Sequence, residues 1–307
     1  MLEGEDAAAA VAEASRRTTS RRELSRREHF AEISPQLGEL DESAFDELMA
    51  EDADEALALL ADMNGATDER LRALARTVAG RIMVDLARNG VAGHRSVGRL
   101  TRRPLDAATG DVDLDASMDE LVAARRGRRS VDTSSLVAST WERPDTAVCL
   151  LVDRSGSMHG ARLATAALAS AAVALRAPTS CSVVAFAQDA VVLGSQGMPR
   201  DPDAIVSDLL RLRGVGVTDV GLALRTAADQ LARATAGRRL TILLSDCRTT
   251  AGGDPVPFVR ALDELVILAP EGDSDDARAL AEAVGARWTT VGGPTSVVDA
   301  LAVALTP

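Results

Sequence analysis

The spacing of hydrophobic positions changes character along this chain. Phe45, Leu48 and Met49, followed by Leu57, Leu59, Leu60 and Met63, fall at helical intervals and predict two short amphipathic helices. Asp41 is placed to cap the first, and Asn64-Gly65 closes the second. Thr67 with Glu69 and Arg70 opens a longer helix, which carries Leu71, Leu74, Val78, Ile82 and Leu86 inward and ends at Asn89-Gly90. A mixed segment follows over 91–143, with one further helix expected at about 116–126.

From residue 144 the period shortens. Apolar runs rich in β-formers (TAVCLLVD, SCSVVAFA, AVVLG, RLTILLSD, LVILAP, RWTTV) alternate with helical stretches over 160–176, 202–211, 219–235, 255–263, 274–284 and 295–304. Continuous apolar strands separated by amphipathic helices predict a doubly wound α/β fold, its mostly parallel sheet covered by helices on both faces. Only the Gln188-Asp189 turn separates SCSVVAFA from AVVLG, so these two strands are expected to pair as an antiparallel hairpin at one edge. The expected organisation is a mainly helical region over 1–143 and an α/β domain over 144–307. With a full set of strands and covering helices, the second is expected to fold alone.

Charge adds blocks to this picture. Residues 15–27 hold six Arg in three pairs, residues 28–69 hold fourteen acids and no Arg, and residues 70–143 hold fourteen Arg against nine acids. The Arg pairs recur every five residues and so walk around a helix, which suits a solvated surface. The acidic block is expected to offer an electrostatic docking face. All 34 basic residues are Arg, and Tyr is absent, which excludes a Walker-type lysine, a Schiff-base lysine and any catalytic tyrosine. A net charge of −12 and only six Phe and Trp residues argue against nucleic-acid binding. Cys149, Cys181 and Cys247 lie in or beside apolar runs without zinc spacing, and all three are expected to be free thiols. The acids in MLEGEDAAAAVAEA stand where a secretory leader needs positive charge, and no 18-residue apolar run follows; a cytoplasmic chain that does not enter the membrane is expected.

Ligands of doubly wound sheets bind outside the carboxyl ends of the strands, and the candidate chemistry lies there. The first strand of the second half runs into Asp153-Arg154-Ser155-Gly156-Ser157, a later loop presents Thr218 before a helix, and RLTILLSD ends at Asp246. Two carboxylates with three hydroxyls form an oxygen set suited to a hard divalent cation, Mg²⁺ or Mn²⁺, whose charge they balance while leaving it electrophilic. Each of these residues taken singly also suits a helix cap. Elsewhere, Asp111-Val112-Asp113-Leu114-Asp115 opens like a calcium loop, but Ala116 and Val122 stand where Gly and Glu are needed; a turn with Asp115 capping a helix is the better reading. Enzyme readings fail on residue types. G-x-S-x-G is absent, His159 is the sole downstream His and lies in the same loop, and Gly214, Gly216 and Gly221 miss the dinucleotide spacing. The chain is not expected to be an enzyme.

D-x-S-x-S after an apolar strand, a Thr some sixty residues on and an Asp closing a further strand resemble the metal-ion-dependent adhesion site of von Willebrand factor type A domains, over roughly 144–307. The resemblance implies that Ser155, Ser157 and Thr218 reach a Mg²⁺ ion, that Asp153 and Asp246 act largely through waters, and that a partner's acidic side chain completes the coordination. The ARRGRR stretch and SSLVASTWERPDTAVCLLVDRSGSM resemble the bacterial intracellular branch of the family, whose members work beside MoxR-type AAA+ ATPases and include the magnesium chelatase D subunit. This implies an adaptor or co-chaperone that brings such an ATPase to a client protein; the alternative is a non-catalytic subunit of a metal-chelatase-like complex.

Overall fold

The computed structural model describes residues 1–93, 99–105, 111–142, 146–155, 159–212, 214 and 216–306. The chain begins with helices α1 (Glu5–Ala14), α2 (Arg21–Leu24), α3 (Phe30–Ile33), α4 (Glu42–Glu51), α5 (Ala53–Met63) and α6 (Glu69–Gly93). Strands β1 (Arg99–Pro104) and β2 (Asp111–Val112), helix α7 (Leu114–Gly127) and strand β3 (Val137–Glu142) come next. The α/β part follows as β4 (Thr146–Asp153), α8 (Gly160–Arg176), β5 (Cys181–Phe186), β6 (Ala190–Gly194), α9 (Pro202–Arg211) and α10 (Val220–Leu231). It ends with β7 (Arg238–Leu244), α11 (Val256–Val259), β8 (Glu264–Pro270), α12 (Asp275–Val284), β9 (Arg287–Val291) and α13 (Pro294–Leu305).

These elements divide otherwise than a single boundary at 143/144 suggests. Met1–His94 and Thr146–Pro307 form one compact unit, and Arg95–Asp145 forms a second. The small unit is a three-stranded antiparallel sheet in the order β1-β3-β2 with α7. Asp113, not Asp115, caps α7: its carboxylate accepts from Ala116 N at 3.0 Å, and also from Arg102 Nε at 2.7 Å and Ser139 Oγ at 2.9 Å. Only an acid at the N-cap position itself reaches the free amides of the first turn.

In the large unit, six strands run in the order β6-β5-β4-β7-β8-β9, parallel except for the β5-β6 hairpin. Period-two alternation sends β4 to two cores. Val148, Leu150 and Val152 join one hydrophobic cluster, while Ala147, Cys149 and Leu151 join the other, with α10 and α12. The strand order reverses between β4 and β7, which makes their carboxyl ends the crevice where this architecture binds ligands. The helix expected over 255–263 shortens to the single turn α11, with Phe258 set under the Arg225 guanidinium, 4.9 Å from the ring centroid.

The first face carries an additional layer. Thirteen of the seventeen residues of α8 are buried, too many for a helix that faces a sheet on one side and water on the other. The second side is covered by the N-terminal helices. Leu57, Leu59, Leu60 and Met63 of α5, Met83 of α6, Leu163 and Leu168 of α8 and Val297 and Leu301 of α13 share one continuous core with that face of the sheet. Helix α6 begins as expected, though its free amides at Arg70 and Leu71 are taken by Asp68 rather than Thr67. Its inner stripe is Leu71, Ala75, Val78, Ala79, Met83 and Ala87, and Leu74 is exposed. The helix also runs through Asn89-Gly90. Gly90 is a packing residue, because a Cβ there would fall inside the side chain of Val298 on α13.

Most side chains of the acidic block are exposed, and several also make bonds within the chain. Asp41 and Asp52 cap α4 and α5, Glu42 pairs with Arg81 at 2.9 Å, and Glu55 pairs with Arg27 at 3.1 Å. Of the expected docking face, Glu28, Glu32, Glu39, Asp46, Glu47 and Glu51 remain exposed.

The N-terminal residues protect the sheet edge. Leu2 lies against β6, donating to Ala190 O at 2.7 Å and accepting from Val192 N at 2.9 Å, so an otherwise open edge is paired. Glu3 anchors this segment to Arg233 and Ser195, whose hydrogen bonds hold its carboxyl down at about 2. A depressed carboxylate contributes stability above its unfolded value and loses it as the pH falls through the folded one. Wild type should therefore lose about 1 kcal/mol more than Glu3→Gln between pH 5 and pH 2, a figure discounted for the partial exposure of the pair. Urea unfolding at a series of pH values measures it, and parallel curves for the two proteins would contradict it.

Candidate metal centre

Asp153 is the last residue of β4, and its backbone register places it opposite Ser245, just past the end of β7. The two side chains meet: Ser245 Oγ donates to Asp153 Oδ2 at 2.7 Å, and the Ser155 amide donates to Oδ1 at 2.7 Å. Ser245 Oγ in turn accepts from Cys247 N at 2.9 Å, which ties the β7 exit loop to the same point. Asp246 follows, with Oδ1 accepting from Arg248 N at 2.9 Å and Oδ2 lying 3.8 Å from the Arg162 guanidinium. Arg162 comes from the first turn of α8 and also bonds Asp273 at 3.0 Å.

Asp153, Ser155 and Asp246 line one cavity of about 170 Å³, together with Arg162, Ser245 and Glu271. Thr218 is at the same end of the sheet but is not among the residues lining that cavity. It is buried, its amide donating to Thr250 Oγ1 at 2.8 Å and its carbonyl accepting from Thr250 N and Ala251 N in the β7 exit loop. The next residue, Asp219, donates its amide to Ala187 O beyond β5 and caps α10. Thr218 is thereby pinned between the β5 and β7 exits. Ser157 lies outside the described residues. Arg154 points away and pairs with Asp189 of the hairpin turn, and His159 is exposed.

The electrostatics of the cavity call for positive charge. Burial pushes the Asp153 carboxyl above the usual carboxylate range against the pull of the Ser245 and Ser155 hydrogen bonds, and the neighbouring Asp246 charge adds to the rise. A buried carboxylate of this kind is favoured as an anion by a nearby cation. Arg162 supplies a partial one at the edge.

Among the described residues no group of three or more His, Cys, Asp or Glu side chains is placed to hold a metal. Any ion here would therefore rely on hydroxyls, waters and two carboxylates. Thr249 Oγ1, three residues past Asp246, is buried with no hydrogen-bond partner among the described residues and is a further oxygen at this end. This donor set fits Mg²⁺ or Mn²⁺ and suits zinc or copper poorly.

The three thiols are free, as expected. Burial pushes Cys149 up to about 12 and Cys181 up to about 11, so neither is a nucleophile at neutral pH.

Two contributors escape the motif. Ser245 could have been found from strand register, since aligning the apolar runs of β4 and β7 puts it beside Asp153. Arg162 has no local signal, because its role depends on the first turn of α8 facing the β7 exit.

Residues 148–252 match the family model of the von Willebrand factor type A domain. The match covers the part of the sheet from β4 to β7, with the exits of both strands that border the cavity. The remainder of the chain, including α1 to α7, lies outside the matched residues. Among solved structures, the chain is similar to a von Willebrand factor type A protein from Catenulispora acidiphila, with 18% identity, a TM-score of 0.43 and coverage of 54% of this chain and 43% of that one. It is similar to the conserved hypothetical protein BatB of Bacteroides thetaiotaomicron, with 18% identity, a TM-score of 0.39 and coverage of 52% and 96%. It is also similar to the manganese-loaded TRAP protein of Plasmodium vivax, with 16% identity, a TM-score of 0.40 and coverage of 51% and 71%. No curated protein matches the sequence. No helix among the described residues is long and apolar enough to cross a membrane.

Proposed function

We propose that this chain is a non-enzymatic protein-binding module that works through one divalent cation, Mg²⁺ or Mn²⁺, held by Asp153, Ser155, Ser157, Thr218 and Asp246. The observation that carries the reading is the pair of carboxylates, Asp153 and Asp246, facing one cavity at the strand-order reversal with Ser155 beside them. Bound there, the ion would supply Lewis acidity toward an oxygen ligand. The protein's own part is to hold that position rigid. Ser245 fixes the Asp153 carboxylate, and Thr250 fixes the Thr218 backbone.

An acidic side chain of a second protein is the ligand this charge balance admits. The partner proposed is a MoxR-type AAA+ ATPase in the cytoplasm, with this chain acting as adaptor or co-chaperone toward a client. The test is capture of the full chain on an immobilised MoxR-type ATPase from the same genome. Capture should occur in Mg²⁺ and be lost both with EDTA and in Asp246→Ala. Equal capture in EDTA would sink the metal-bridged reading.

A further inference from the structure

In neither helix that walls the cavity does the N-cap side chain reach the first-turn amides, although in α13 Ser296 Oγ accepts from Gly293 N at 3.1 Å. Helix α8 begins after His159, whose side chain makes no capping bond, and α13 begins after Gly293, which has no side chain. Free amides at a buried helix start need an acceptor, and carboxylates are favoured there by the helix dipole. Both acceptors come from one remote helix. Asp62 of α5 accepts from Gly160 N at 2.7 Å, and Asp54 of α5 accepts from Thr295 N at 2.8 Å. The fit against α13 is close enough that a Cβ at Gly293 would collide with the Asp54 carboxylate.

The placement of Asp62 is informative in itself. It lies in the last turn of its own helix, where a negative charge opposes the dipole. Its position is offset by the positive end of α8 and by Arg27, whose Nε stands 3.5 Å from Asp62 Oδ2 while the same guanidinium bonds Glu55. Asp54 and Asp62 are about 12 Å apart along α5 at 1.5 Å per residue, and they reach two helices that both border the cavity. Ala161, Arg162 and Thr165 line it from α8, and Gly292 and Gly293 line it from the entrance to α13. Between the acids, α5 is locked into the core by Leu57, Leu59 and Leu60.

We propose that α5 is a brace for the metal centre, with Asp62 a positioning residue that fixes the start of α8, whose Ala161, Arg162 and Thr165 line the cavity, and Asp54 doing the same for the opposite wall. This rests on the metal reading above. With the start of α8 freed at Gly160, the cavity wall has a smaller binding-competent population and the ion a correspondingly lower apparent affinity.

The experiment is calorimetric titration of Mg²⁺ into the full chain, with melting temperatures recorded alongside. Asp62→Ala should bind Mg²⁺ about tenfold more weakly than wild type, the size of one lost cap, although it removes no proposed ligand. Asp62→Asn keeps an acceptor for Gly160 N and should stay within about threefold. Leu231→Ala, a core truncation at the far end of α10, should lower the melting temperature and leave Mg²⁺ affinity unchanged. If Asp62→Ala does not fold, Arg27→Gln carries the test, with an affinity about threefold lower because the carboxylate remains but the cation that aims it is gone. Wild-type affinity in Asp62→Ala, or an equal loss in Leu231→Ala, would overturn the brace while leaving the metal site standing. A wild-type chain that takes up no Mg²⁺ would remove the metal reading, and the brace with it.

Discussion

A fragment spanning residues 144–307 should fail to fold as a stable monomer, even though it contains every strand of the large sheet and every helix of the matched family segment. Its α8 is buried on two sides, and the second side is formed by α5 and α6. Removing them strips the cover from an apolar surface and deletes the fully buried Leu57, Leu59, Leu60 and Met63. Each such side chain contributes roughly 1.5–3 kcal/mol by burial. Four of them match the total stability of about 5–15 kcal/mol that a domain of this kind has. The loss of the Asp62 and Asp54 caps falls on the same two helices. The fragment should elute as aggregate, bind a hydrophobic dye and show no cooperative urea transition followed through Trp288, in contrast to the full chain measured in parallel. A monomeric fragment with a sharp transition would show that the N-terminal helices are an accessory to the fold. Leu57→Ala in the full chain offers a graded version, expected to cost about 2–5 kcal/mol.

The expectation that this fragment would stand alone comes from reading strands and helices as a complete set, and the argument against it rests on particular residues. The sheet was legible because β4, β5, β7 and β8 are short apolar runs whose alternate residues serve two cores, a pattern local in sequence. The exits of β4 and β7 were legible for the same reason, since Asp153 and Asp246 sit where the apolar runs stop. Helix α5 was recognised as helical, but its degree of burial was not, because ADEALALLADM reads as an ordinary amphipathic helix with polar ends. Those polar ends are caps for partners 98 and 241 residues away in the chain, a distance no local pattern encodes. Gly90 misled in the same way. A glycine after Asn at the end of a hydrophobic stripe is a good helix stop, and only the approach of Val298 shows that it serves close packing within a continuing helix. Caps were legible to within a residue or two. Asp41 was placed correctly, while Asp68 and Asp113 displaced the neighbours Thr67 and Asp115 because an acid at the N-cap position itself reaches the free amides best.

Asp153→Asn should separate the stability of the metal centre from its function with opposite signs. Without metal, the variant removes a carboxylate that burial, and secondarily the Asp246 charge, already disfavours as an anion. The amide oxygen can still accept from Ser155 N, and its NH2 can donate to Ser245 Oγ, at the cost of the Ser245 hydroxyl's own acceptor. The metal-free variant should therefore melt at or slightly above the wild-type temperature. With Mg²⁺ present the order should reverse. An ion that binds the native state alone stabilises by about 2.7 kcal/mol at a hundredfold excess over its dissociation constant. Wild type should gain that increment, and Asp153→Asn should gain essentially none, because one neutral and one charged carboxyl-type side chain no longer balance a divalent cation. Thermal unfolding of both proteins in EDTA and in saturating Mg²⁺ gives the four values needed. A crossing of the two proteins' order between conditions supports a cation at this pair of acids. If Mg²⁺ stabilised the variant as much as wild type, the ion would be bound elsewhere and the strand-exit assignment would be wrong; if it stabilised neither, the two carboxylates would owe their neutrality to Arg162 and to protonation, and the centre would not be a metal site.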